Sequence, residues 1–372
     1  MRGHVRKRGN SWAYWYEAGR DDSGRRKQCC RSGFPTKKAA ENALAATLTD
    51  IQRQEHVDRS LLTFGEFVDE VWLPHVDETR RPATRESYRR QLKRHICPVL
   101  GHRPLQEVSA TDVDRVYRVC ATKGLSPATI NVIGAIVSAV LKHATRKRLV
   151  VRNVAEDADA PKVTRRPRSV WTAAELSTFL RSVHGDRLAA LWRVLAVTGC
   201  RRGEALGLDW RGVDFTEGTI TISQQVVPLS GELVLAPPKT TTGLRKIPID
   251  AKTLEALEQH RATQELERAV LGEPAVDRDL VFTTLDGEPL DPRGISQAFQ
   301  VRRKRVGLPH VRLHDLRHGA AVLALEGDVN LELIRRRMGH SKIATTIDLY
   351  ARHEIETAER AAANTVAALL DG

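Results

Sequence analysis

Residues 198–209 read TGCRRGEALGLD, and the reading of this stretch decides the fold of the second half of the chain. An apolar helix, about Leu188 to Val197, runs into Gly199. Arg201 then stands where a second helix begins, with backbone N–H groups that favour an anion. Glu204, three residues on, shares that helix face and can orient Arg201. The same letters also describe an ordinary capped helix with a surface arginine. Moving outward, short strand patterns cover Thr219–Ser223, Leu233–Ala236 and Arg245–Ile249. The last two flank PPKTTTG, residues 237–243, which puts Lys239 on a hairpin turn. A lysine there reaches into a cleft and can protonate a leaving oxygen, or it is simply solvated.

Further along, residues 314–318 read HDLRH and residues 338–350 read MGHSKIATTIDLY. His314 and Arg317, three apart, pair a proton-transfer group with a permanent cation on one helix turn. His314 and His318 also have zinc-ligand spacing. However, Asp315 stands where a zinc protease helix has Glu, and no third ligand follows. His340 follows a glycine at a helix end, and Tyr350 lies ten residues later. These pieces suit one reaction. A phosphodiester repels nucleophiles, and its transition state gathers negative charge. The guanidinium groups of Arg201 and Arg317 would neutralise that charge where it develops. A tyrosine hydroxyl, with a pKa of about 10, needs such cations and a proton acceptor to attack at neutral pH. Lys239 can protonate the leaving 5′ oxygen, His314 can move the proton at the tyrosine, and His340 can donate a hydrogen bond to the phosphate. No metal and no other cofactor is called for.

The rest of the chain is consistent with a nucleic-acid partner. The formal charge is +13 with a pI near 9.8 over 372 residues, and a surplus of that size points to a polyanion. Arginines number 45 against 14 lysines, which suits phosphate clamping. The five cysteines form no CxxC pair, so reduced thiols in a cytoplasm are expected rather than a disulfide framework or zinc finger. No run of about 18 apolar residues stands out, so neither a transmembrane helix nor a membrane partner is expected. Upstream, SWAYWYE over 11–17 and the stretch 25–31 read as strands around a turn at 21–24. Thr36 then caps a helix. Capping boxes at Thr63/Glu66 and Thr172/Glu175, a helix opened by Ser109 with Asp112, and Ser126–Pro127 mark further helix starts. A basic helix from about Pro82 to Ile96 is expected to be broken by Pro98 and Gly101. The fold class is therefore mostly α with small β-sheets. An α+β module covers 1–56, a helical bundle 63–157, a Pro/Arg-rich linker 158–170, and a mixed α/β domain 171–372.

The four stretches TGCRRGEALGLDW, PPKTTTGLRKIPI, LHDLRHGAA and MGHSKIATTIDLY strongly resemble, in order, the tyrosine recombinase (phage integrase) family. HICPVLGHRPLQEVSATDVDRVY and SPATINVIGAIVSAVLKHA resemble its helical core-binding domain, and the N-terminal strands and helix resemble its arm-binding domain. The resemblance implies that Arg201 and Arg317 are the two catalytic arginines and Lys239 the β-hairpin lysine. It implies further that His314 opens the HxxR motif, His340 is the second histidine, Tyr350 is the nucleophile, and Glu204 supports the first arginine. Met338 departs from the more usual leucine, a volume-conserving change. The implied activity is site-specific DNA recombination, integrating or excising a mobile element through a 3′-phosphotyrosyl intermediate and a Holliday junction, without ATP. The implied partners are double-stranded DNA at core and arm sites, a homotetramer on synapsed DNA, and DNA-bending or excision accessory factors. The tail, about Ile355 to Leu370, would dock on a neighbouring subunit or pack in cis. A type IB topoisomerase shares the tyrosine chemistry, and a DNA-binding regulator could keep the scaffold without cleaving.

Overall fold

The computed structural model describes residues 3–20, 26–52, 57, 60–164, 169–271, 278–339 and 365–366. The expected turn at 21–24, His340, Tyr350 and nearly all of the tail lie outside the described residues. The chain divides into two units, Met1–Thr164 and Arg165–Gly372.

The first unit holds two separate cores. Strands β1 (Gly3–Arg8), β2 (Ser11–Arg20) and β3 (Arg26–Phe34) form an antiparallel sheet in the order β1-β2-β3. Its pleat sends Tyr14 and Tyr16 inward against Leu44 of helix α1 (Lys37–Gln52), and the Tyr14 hydroxyl is satisfied by Thr47 Oγ1 at 2.8 Å. Thr36 Oγ1 accepts the Ala39 N–H at 3.1 Å, capping α1 as its sequence position indicates.

The second core belongs to helices α2 (Phe64–Phe67), α3 (Leu73–Thr79), α4 (Pro82–Gln91), α5 (Cys97–Leu100), α6 (Ala110–Thr122) and α7 (Pro127–Arg146). The reciprocal boxes at Thr63/Glu66 and Ser109/Asp112 are both formed, and Ser126 caps α7. The expected break at Pro98 is not there. The chain stays helical from α4 through a π-turn at Leu92–Ile96 into α5, and stops at Gly101. The π-turn explains this. Cys97 N–H reaches back five residues to the Leu92 carbonyl, and the wider turn accommodates a proline that a regular helix interior rejects. α7 is 20 residues long and holds an 18-residue window of mean hydropathy 1.3, enough to cross a bilayer by length and composition alone, but half of that window is buried inside the fold, as in a bundle's core helix. Ile130, Ile133, Val137, Val140 and Leu141 are buried in the bundle core.

The second unit contains α8 (Ala173–Ser182), α9 (Ala189–Thr198), α10 (Arg202–Leu206), β4 (Val213–Asp214), β5 (Thr219–Ile222), β6 (Gln225–Leu229), β7 (Glu232–Ala236), β8 (Arg245–Pro248), α11 (Ala251–Leu271), α12 (Pro292–Arg305), α13 (Asp315–Glu326) and α14 (Leu331–Met338). Its core centres on the rings of Trp171, Phe179, Trp192 and Phe299. The strands make a three-stranded sheet, β4-β5-β8, and a separate two-stranded hairpin, β6-β7. The strand β6 escapes a sequence reading because Pro228 interrupts it. A two-stranded ribbon tolerates proline, since each strand is an edge.

One buried group in this unit gives a pH prediction. His260 lies between the rings of Trp210 and Phe282 and donates from Nε2 to the Val281 carbonyl at 2.7 Å. Burial, helped by Arg187, pushes its pKa below the ordinary histidine value. The unfolded chain therefore takes up a proton near pH 6.5 that the folded one declines. Stability is full above that pH and is lost as pH falls toward the folded pKa. Thermal melts from pH 7.5 to 5 should show this unit weakening by up to about 1.4 kcal/mol per pH unit from this group. His260→Gln should flatten that part of the slope.

Candidate active site

The C-terminus of α9 begins the site. Gly199 takes a left-handed conformation (φ 61°), ending α9. The turn this permits delivers Arg201 to the N-cap of α10. Glu204 accepts twice from Arg201: the Arg201 backbone N–H donates to Oε2 at 2.9 Å and its guanidinium to Oε1 at 2.7 Å. Glu204 is almost fully buried, with 1% exposure. Burial by itself would raise its pKa, but Arg245 and Arg201 outweigh that and hold the carboxyl below the usual range. The carboxylate is thus charged, and it fixes Arg201.

Arg317, in the first turn of α13, is 4% exposed. It donates to the Gly199 carbonyl at 2.7 Å and to the Met338 carbonyl at 2.5 Å. A second guanidinium contact reaches the same region, from Arg201 to the Gly339 carbonyl at 3.4 Å. Gly339 is also left-handed (φ 65°) and ends α14. A Cβ there would come within 2.9 Å of the Thr242 carbonyl, so only glycine fits both the backbone and the space. Burial, and then the charge of Arg201, lower the pKa of Arg317 to about 10. It remains cationic at neutral pH. Two guanidinium groups held close enough to repel each other describe a site prepared for an anion.

His314 is the N-cap residue of α13 rather than part of its first turn, and it is exposed. It packs edge-on against His318, with ring centroids 5.4 Å apart. His314, Arg201, Arg202, His310 and Arg312 line one cleft of about 650 Å³. Among the described residues no three His, Cys, Asp or Glu side chains cluster in a way that would hold a metal.

Lys239 requires a correction. It does not sit on a hairpin turn. β7 pairs back with β6, and β8 joins β5, so Lys239 lies on the connection between two separate sheets. The missed strand β6 is the reason. Lys239 is exposed and makes no described hydrogen bond or ion pair to Arg201, Glu204, His314 or Arg317. The structure thus brings together Arg201, Glu204 and Arg317 around Gly339, and puts His314 in the cleft beside Arg201. His340, the next residue after Gly339, and Tyr350 are outside the described residues.

One residue within the quoted motifs went unassigned. Arg245, at the start of β8, donates to Glu204 Oε2 at 2.9 Å and is nearly as buried as its partner. The only hint in the sequence is a long cation opening a short strand, a position that usually reads as solvent-facing.

Comparison with known proteins bears on the whole chain. Sequence models described as the arm DNA-binding domain, the phage integrase central domain and the phage integrase family match residues 4–51, 64–160 and 172–356. An integrase of Streptomyces ambofaciens is 28% identical over 390 aligned residues, covering 99% of this chain and 97% of its own length. Among solved structures, the Tn1549 transposon integrase in complex with transposon right-end DNA superposes with a TM-score of 0.67 at 23% identity, over 80% of this chain and 99% of that one. A lambda integrase tetramer bound to a Holliday junction gives 0.57 at 18% identity, over 93% and 94%. These superpositions establish a shared fold, mostly helical with small sheets.

Proposed function

The chain belongs to the phage integrase family, the tyrosine recombinases, and from that premise we propose that it recombines DNA site-specifically with Tyr350 as the nucleophile. The observation that carries this reading is the pair Arg201 and Arg317. Arg317 is anchored on the Gly199 and Met338 carbonyls, and Arg201 on Glu204 and the Gly339 carbonyl, so both guanidinium groups converge on the chain where α14 ends.

A scissile phosphate entering the cleft beside Arg201 and His314 meets fixed positive charge. Each guanidinium has five N–H donors and spends some of them on protein oxygens, leaving others for non-bridging phosphate oxygens. Because those donors are already oriented, they stabilise the pentacovalent transition state without reorganising. The Tyr350 hydroxyl attacks phosphorus. The bond to O5′ breaks, a 3′-phosphotyrosyl bond forms, and Lys239 supplies the proton to O5′. His314 moves the proton at the tyrosine side, and His340 donates a hydrogen bond to the phosphate. Attack by a 5′ hydroxyl from the partner duplex reverses the step and reseals the strand. The order of domains supports arm-site contact by residues 1–56, core-site contact by 63–157, and catalysis by 171–372, with 158–170 as the linker. We assign the working form as a homotetramer on two synapsed sites, in the cytoplasm, with DNA-bending factors as partners. The lambda integrase tetramer on a Holliday junction is the model for that assembly.

The test is a suicide duplex nicked near the cleavage position, which traps the covalent intermediate. Wild type should give a protein–DNA adduct that survives denaturation, and Tyr350→Phe should give none. An equal adduct from both would remove Tyr350 from its role. Binding should also weaken steeply with salt, because phosphate contacts release counterions. A flat response in a gel-shift titration from 50 to about 200 mM salt would contradict the electrostatic reading.

A further inference from the structure

The connection from β7 to β8 carries Lys239 on an exposed turn, but Arg245, the residue that closes it, is buried to 7% exposure. Its guanidinium reaches three different segments. Nε donates to the Arg337 carbonyl at the end of α14 (2.8 Å), one terminal nitrogen donates to the Gly243 carbonyl (2.9 Å), and the other to Glu204 Oε2 (2.9 Å). The turn itself is closed. Gly243 N–H donates to the Thr240 carbonyl at 2.9 Å, and Gly243 lies so close against the Pro238 ring that a Cβ would overlap it. The turn also rests on Gly339, since the Thr242 carbonyl lies 2.9 Å and the Arg245 guanidinium about 3.1 Å from where a Gly339 Cβ would be.

The geometry points to Arg245 as a positioning residue for the leaving-group acid. By gripping Gly243, Glu204 and the Arg337 carbonyl at once, it holds the turn that carries Lys239 in fixed register with Arg201. This inference rests on the reading of Lys239 as the acid that protonates O5′. A planar fork is needed for the task. Lysine in the same place keeps a positive charge for Glu204 but cannot address three acceptors in three directions. The consequence is specific to one step. Loosening Arg245 should leave phosphate binding by Arg201 and Arg317 largely in place while misplacing the proton donor.

Substrate chemistry separates that effect from a general loss of structure. In a duplex with sulfur replacing the 5′ bridging oxygen at the cleavage position, the P–S bond breaks and a thiolate departs without needing a proton. The phosphotyrosyl bond forms as before. On the ordinary duplex, Arg245→Lys should cleave about 100-fold more slowly, within the range a general acid contributes. On the sulfur duplex it should recover to within about tenfold of wild type. Lys239→Ala should show the same rescue, and Arg317→Ala should show none. Gly243→Ala, which strains the turn from the other side and leaves every Arg245 donor intact, should repeat the pattern. It also carries the test if Arg245→Lys does not fold. The inference is overturned if Arg245→Lys and Gly243→Ala lose the same factor on both duplexes while Lys239→Ala is rescued. An unrescued Lys239→Ala would instead remove the acid assignment, and the inference with it.

Discussion

Arg317→Ala is expected to bind its DNA site within a few-fold of wild type and to cleave it several orders of magnitude more slowly. The argument is electrostatic. Arg317 is buried in the catalytic unit, held by the Gly199 and Met338 carbonyls, and its charge is not matched by a carboxylate of its own. Such a cation does little for the many phosphate contacts that set affinity. It acts at one phosphorus, where charge accumulates only during the reaction. Removing one preoriented donor from such a site typically costs 10²–10³ in rate, and a full charge costs more. Two measurements settle it: the dissociation constant by gel shift at fixed salt, and the single-turnover rate on the nicked duplex. A parallel loss in both would mean that Arg317 serves binding or folding. Arg317→Lys sharpens the result. It keeps the charge but cannot address two carbonyls and a phosphate together, so it should recover only part of the rate.

Glu204→Gln should damage stability as well as rate. The carboxylate is the shared counter-charge of Arg201 and Arg245, at 2.7 and 2.9 Å, inside the core of the second unit. The amide is nearly the same size and leaves two guanidinium groups without their anion. Breaking a buried ion pair from one side costs about 3–5 kcal/mol, which for a unit of this size lowers its melting transition by roughly 6–20 °C. Calorimetry on the purified variant reads this directly. A shift of a degree or two would show that water takes over the role of the carboxylate. Because Arg201 loses its orientation too, cleavage should fall even at temperatures where the variant is folded.

Much of this site was readable from the sequence, for a physical reason. Arg201, Glu204, His314 and Arg317 announce themselves through helix ends, where capping chemistry and spacing are local. Glu204 lies three residues from Arg201, and both bonds that it accepts from Arg201 fall within one turn. What escaped depends on pairing over long distances. Whether β7 turns toward β8 or back toward a strand containing Pro228 is decided by partners, not by local pattern, so the letters around Lys239 read locally as a hairpin turn. Arg245 escaped for the same reason. Its value comes from Glu204, 41 residues earlier, and from Arg337, 92 residues later. Pro98 reads as a break in the helix from Pro82 because a π-turn is a property of the backbone that no residue type advertises.

The carbonyl oxygens that receive Arg317, Arg245 and one arm of Arg201 belong to Gly199, Met338, Gly243, Arg337 and Gly339. Every amino acid carries that oxygen. Apart from the Glu204 carboxylate that Arg201 and Arg245 share, and the glycines at 199, 243 and 339, the anchorage of these cations is therefore inherited through the route of the polypeptide rather than through the identity of its side groups. An enzyme built this way can let most of its surroundings drift and still present the same array of charge, which fits a chain that shares its architecture with an integrase only 18% identical to it.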